Sequence, residues 1–157
     1  MKAFMDKDFM LQSATAQHLY HDYAAAMPIC DYHCHIPPRE IYENRRFENI
    51  AQVWLGGRNP DGSYFGDHYK WRVMRSNGVP EEYITGDKPD RERFQKFAEA
   101  LPMAIGNPMY HWTNLELHTF FGYDGVLNGD TAEEVWNLCN DKLQHDPKLT
   151  VRGLIEQ

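Results

Sequence analysis

Basic clusters, long apolar runs and paired cysteines are all scarce in this chain, and each scarcity narrows what it can do. Sixteen Lys and Arg stand against 23 Asp and Glu, a formal charge of -7, and no block of cations occurs. Nucleic acids and anionic membranes are held by concentrated positive charge, so neither is an expected partner. An acidic total does not bar a small anionic ligand; it only requires that the ligand's site be locally basic. No segment approaches the ~20 apolar residues of a membrane span, and Pro28 interrupts the longest candidate, Tyr23 to Cys30. Asp6 and Asp8 stand where a signal peptide would carry cations, which makes the cytoplasm the expected location. Cys30, Cys34 and Cys139 form no C-x-x-C pair, and their odd number argues against a disulfide framework. They are expected to be small buried hydrophobes.

What is present suits a packed chain. Apolar residues make up 42% and aromatics 13% of 157 residues, enough for one ordinary domain or a piece of a larger one. The pattern is mostly helical, punctuated by Pro and Gly. Leu19, Tyr23 and Met27 recur at helical spacing and predict a helix from Ser13 to Met27, stopped by Pro28. The stretch Ile29 to His35 is β-compatible in its first half, and Pro37-Pro38 presets the next helix start. Ile50, Val53 and Trp54 line a short helix that Gly56-Gly57 can cap. Arg58 to Asp67 reads as a turn-rich loop, and Asp67 as the N-cap of a helix running to Asn77-Gly78. Phe94, Phe97, Ala98 and Leu101 mark an amphipathic helix behind Pro89, and Asn107-Pro108 opens another. Thr131 to Glu134 has capping-box spacing. Thr150 reads as the N-cap of a further helix that has barely begun at Gln157, so the chain reads as the truncated front of a longer one.

The chemistry centres on His33-Cys34-His35. In a strand, residues i and i+2 share a face, so both imidazoles would converge while Cys34 turns away. Such a pair at a strand's end suits a divalent metal such as zinc. The bland alternative is two histidines hydrogen-bonded in a polar loop. Further along, His68, Arg72 and Arg75 fall at i, i+4 and i+7 and would form a cationic stripe fit for a carboxylate. The same stripe could instead be a solvated face paired with Asp67 or Glu81. Tyr69 is either a donor to a substrate hydroxyl or an aromatic at the core's edge. His18, His21, His118 and His145 read as surface or capping groups, and His111 beside Trp112 as packing at least as much as catalysis.

Asp31-Tyr32-His33-Cys34-His35-Ile36-Pro37-Pro38 strongly resembles the signature of the uronate (glucuronate) isomerases, members of the amidohydrolase superfamily. Asp67 to Arg75, Gly106 to Thr113, Arg152-Gly153 and Leu19 to Tyr23 agree with the same family, so the resemblance spans nearly the whole chain. It implies an α/β parent fold, a metal-dependent-hydrolase-like (β/α)8 barrel, of which this chain would be a mostly helical part. Residues 1-36 would supply the N-terminal helix and first barrel strand, 37-145 a helical insertion, and 146-157 the start of a return to the barrel. The segment Gly57 to Gly66 resembles an insertion relative to shorter family members. A complete barrel needs roughly 200 to 250 residues, so the later strands, with a further metal-binding aspartate, would lie outside this chain.

The resemblance further implies an aldose–ketose isomerase interconverting D-glucuronate with D-fructuronate and D-galacturonate with D-tagaturonate. His33 and His35 would be ligands of a divalent metal, zinc or alternatively manganese. His68 and Tyr69 would be catalytic and substrate-binding, and Arg72 would bind substrate. The partner would be a small hexuronate, with self-association of the full-length form. Two other readings remain open at this point: a different amidohydrolase-type hydrolase acting on an amide or lactone, and a non-enzymatic helical binding module.

Overall fold

The computed structural model describes residues 3–30, 32–33, 36–58, 62 and 64–156. The chain divides into two compact units, residues 1–35 and 36–157.

In the first unit, α1 (Ala14–Asp22) begins where Ser13 Oγ accepts from the amide of Ala16, at 3.1 Å. The helix expected to continue to Met27 ends five residues earlier. Tyr23 leaves the helical region, and a single 3₁₀ turn, Ala24–Ala26, follows. No side chain of α1 is buried. The N-terminal stretch is held locally. Phe4 and Phe9 meet edge to face at 5.6 Å, and the His21 ring contacts the Asp8 carboxylate at 2.8 Å. The strand expected from Ile29 is not formed among the described residues: Ile29, Cys30, Tyr32 and His33 carry no ladder. A strand needs a neighbour to take its amides and carbonyls, and Ile29 and Tyr32 are 91% and 97% exposed. Cys30 is likewise exposed rather than buried, and Cys34 lies outside the described residues.

The second unit is a helical assembly of α2 (Pro38–Glu43), α3 (Ile50–Trp54), α4 (His68–Ser76), α5 (Asp90–Ala100), α6 (Pro108–Phe121), α7 (Ala132–His145) and α8 (Val151–Glu156). Its core gathers Ile50, Trp54, Phe94, Phe97, Leu117, Val135 and Leu143 from α3, α5, α6 and α7. The Trp54 ring stacks on Phe94 at 6.0 Å and meets Phe97 edge-on at 5.8 Å. Fully burying each such side chain contributes roughly 1.5 to 3 kcal/mol. Cys139 belongs to this core, where burial pushes its thiol up to about 12 and leaves it inert.

Arg93 is also buried, and its guanidinium satisfies the carbonyls of Gly56 (3.1 Å), Leu55 (3.3 Å) and Ile84 (3.0 Å) as well as Asp90 (2.9 Å). It therefore ties α5 to the turn that follows α3. That turn is not wholly irregular: β1 (Gly57–Arg58) pairs antiparallel with β2 (Tyr64–Phe65), a correction to the loop expected there. Gly56 has φ +68°, and a Cβ on it would run into the Phe65 carbonyl, so the tight return needs glycine.

The end of the chain is fastened to the beginning of this unit. Arg152 donates from Nε to the Ile41 carbonyl (2.8 Å) and from Nη2 to that of Tyr42 (2.5 Å), satisfying the carbonyls that end α2. Arg46 does the same for α7 through the Leu143 and Asp146 carbonyls, both at 3.0 Å. Gly153 packs so closely on the Lys148 carbonyl that a Cβ there would overlap it. Thr150 caps α8 as expected, its Oγ1 accepting from Gly153 N at 3.2 Å. Thr131 departs from expectation: it makes no side-chain cap on α7. Its Oγ1 instead donates to Val126 O at 2.9 Å and accepts from Asn128 N at 3.0 Å, closing the preceding loop. Among the described residues, no helix is long and apolar enough to cross a membrane.

Candidate functional site

The first turn of α4 is built by Asp67. Its Oδ1 accepts from the amide of Tyr69 at 2.8 Å, as an N-cap should, while Oδ2 takes the Lys70 ammonium at 3.1 Å. Lys70 is 5% exposed, unusual for a lysine, with Glu116 on α6 3.9 Å away and the Trp54 ring 5.7 Å away. Burial holds the Glu116 carboxyl above the ordinary carboxylate range, against the opposing pull of Lys70. Trp71 completes the seat by donating from Nε1 to the Leu55 carbonyl at 2.9 Å. The start of α4 is thus fixed from α3 and α6, and with it the two side chains it presents. The His68 and Tyr69 rings lie 4.3 Å apart, and the Arg72 guanidinium sits 5.6 Å from the Tyr69 ring.

The cationic stripe read from the sequence is divided by the fold. Arg75 forks onto Glu81, Nε at 2.9 Å and Nη2 at 2.5 Å. That grip, with a hydrogen bond from Thr85, holds the Glu81 carboxyl down at about 2. Arg75 is therefore engaged by Glu81. Arg72, in contrast, opens onto a cavity of about 670 Å³ between α4, the 3₁₀ turn Leu101–Ala104 and the start of α6. Tyr69 and Trp112 line the same cavity. Its floor is the small apolar cluster of Val73, Ala104 and Met109. Tyr69 and Arg72, two of the residues singled out in the sequence, are thereby brought together, with His68 beside the Tyr69 ring.

His33 is exposed and belongs to the first unit; His35 lies outside the described residues. Among the described residues, no three His, Cys, Asp or Glu side chains gather at one point. The remaining histidines are surface groups in the main: His18 contacts Asp22 at 2.5 Å, His118 contacts Asp124 at 2.8 Å, and His145 contacts the Asp141 carbonyl at 2.8 Å. Sequence reasoning missed Lys70 and Glu116. The signal for Lys70 was its place three residues after an N-cap aspartate, which puts the ammonium over that carboxylate. Nothing local announced Glu116, since its partner is 46 positions away in sequence.

A model of the glucuronate isomerase family matches residues 1–157, the whole chain. The uronate isomerase of Lachnospira eligens is 69% identical over 157 residues, covering 100% of this chain and 31% of its own length. That of Lachnoclostridium phytofermentans is 59% identical, covering 100% of this chain and 32% of its own. The uronate isomerase structure of Thermotoga maritima superposes with a TM-score of 0.81 at 34% identity, over 95% of this chain and 30% of that one. The glucuronate isomerase structure of Caulobacter crescentus shares the fold, with a TM-score of 0.78 at 23% identity, over 97% of this chain and 32% of that one. This chain therefore spans a little under a third of the length of such relatives, and by its match from first residue to last it belongs to the glucuronate isomerase family.

Proposed function

We propose that this chain is the front part of an aldose–ketose isomerase that interconverts D-glucuronate with D-fructuronate and D-galacturonate with D-tagaturonate. The observation that carries this reading is the grouping of Tyr69 and Arg72 on one cavity in a chain of this family. In the parent (β/α)8 barrel, residues 1–36 supply the N-terminal helix and first strand, 37–145 a helical insertion, and 146–157 the return to the barrel. The chain divides between His35 and Ile36, one residue before the first of these boundaries.

The reaction moves a proton between the first two sugar carbons and needs a base, a polariser for the carbonyl oxygen and a cation for the substrate carboxylate. Arg72 takes the carboxylate, in the forked geometry that guanidinium and carboxylate share. Tyr69 and His68 hold the sugar hydroxyls and pass the proton. Asp67 and Lys70 fix the helix turn that carries them, so their placement costs no reorganisation when substrate arrives. His33 and His35 are the residues that would hold a divalent metal, zinc or manganese. Neutral imidazoles suit such ions, and His33 is an exposed residue. Such a metal supplies Lewis-acid polarisation of a substrate oxygen. The hexuronate is the partner, and the full-length form self-associates.

The test uses a chimera in which this chain replaces the matching segment of the Lachnospira eligens enzyme. His33→Ala and His35→Ala should each lower bound metal and isomerase turnover together, by at least about an order of magnitude, since losing even a hydrogen-bond partner of a metal ligand costs roughly 10- to 100-fold. Metal content and ketose formation at parental levels in both variants would remove the ligand assignment.

A further inference from the structure

Three cations stand on α4, and the fold treats them differently. Lys70 is matched by Asp67 and Glu116, and Arg75 by Glu81. Arg72 has no carboxylate partner among the described residues; its contact is the face of the Tyr69 ring. In a chain with seven more acidic than basic groups, a guanidinium left to an aromatic face on a cavity wall is placed for an anion from outside. Across the same cavity stands Trp112 on α6, 51% exposed, in the first turns after the Asn107 N-cap. Large aromatics normally bury more of their surface than this. The floor between Arg72 and Trp112 is apolar, made by Val73, Ala104 and Met109, while Ser76 adds a hydroxyl to the rim. The volume, about 670 Å³, is that of a small-molecule site, and the make-up is the usual one for such sites: apolar walls with few polar groups.

We propose that Trp112 is the stacking wall of this cavity and, with Arg72, makes it selective for an acidic sugar ring over a neutral one. The carbon face of the hexuronate lies on the indole, its carboxylate reaches the Arg72 guanidinium, and its hydroxyls meet Tyr69 and Ser76. This rests on the isomerase reading and deepens it by naming a recognition residue on α6.

The experiment titrates the nitrogen-labelled 157-residue chain by NMR with sodium glucuronate, and in parallel with glucose and with sodium acetate. Glucuronate should shift the Trp112 indole and Arg72 side-chain signals saturably, at concentrations where glucose and acetate leave them unmoved. Trp112→Ala should weaken glucuronate binding by about fivefold or more, and Trp112→Phe, which keeps a ring, by about twofold or less. Arg72→Met should erase the preference for glucuronate over glucose, which a merely structural role would not do. Equal responses to glucuronate and acetate would reveal only an anion contact, and unchanged binding by Trp112→Ala would reveal only packing; either result overturns the proposal. In the chimera, Trp112→Ala should raise the KM for glucuronate by a similar factor while kcat changes by less than about twofold. A chimera without turnover would count against the isomerase reading, while the titration still decides the cavity by itself.

Discussion

Helices α1 and α5 are similar in length, at nine and 11 residues, and both carry aromatic or aliphatic side chains at helical spacing. Yet α1 buries none of its side chains, whereas α5 buries Arg93, Phe94, Phe97, Ala98 and Ala100. Leu19, Tyr20 and Tyr23 are about half exposed or more, while Phe94 and Phe97 are fully buried. An apolar stripe is thus an offer of a face, and burial depends on what stands opposite it. Residues 36–157 hold both sides of their own core, because Arg46 and Arg152 bring the last helices back onto the first ones.

That contrast can be broken by mutation. Phe94→Ala should cost about 3 to 5 kcal/mol in chemical denaturation, the usual loss for a large aromatic removed from a tight core. Lys70→Met should cost less, about 2 kcal/mol at neutral pH, by leaving Asp67 and Glu116 without their cation. Its pH dependence has a definite sign. The folded-state pKa of Glu116 already stands above the ordinary value, so its contribution to stability is complete below that value and fades as pH rises through the folded one. Removing Lys70 lifts that pKa further, and the variant should therefore lose more stability at pH 7 than at pH 4. Leu19→Ala should change stability least, by under about 0.5 kcal/mol, as for an exposed site. A Leu19→Ala loss comparable to that of Phe94→Ala would erase the distinction between the two regions.

Much of the second unit was legible in the sequence, because its helices are marked by local signals. Asp67, Asn107 and Thr150 are polar residues just ahead of apolar-periodic stretches, and each caps its helix through a hydrogen bond to the first turn. Thr131 carried the same signal, but its hydroxyl is drawn to Val126 and Asn128 instead; that competition is set by the loop's path. The ladder of β1 and β2 was illegible because two residues per strand are too few to show alternation. In the candidate site, Arg72 was readable as part of a cationic helix face with His68 and Arg75, whereas its grouping with Tyr69 on one cavity needed the fold. The loss of Arg75 to Glu81 was weighed in the sequence but could not be decided there, and the arrival of Glu116 beside Lys70 needed the fold itself.

Catalysis decides whether this chain supplies working parts of a uronate isomerase. The chimera with the Lachnospira eligens enzyme should convert glucuronate to fructuronate, measured as ketose formed over time with zinc or manganese present. The isolated 157-residue chain should form none under the same conditions. A chimera that is folded and metal-loaded yet forms no ketose would contradict the account, and so would ketose formed by the isolated chain, because either would place the working site elsewhere than proposed.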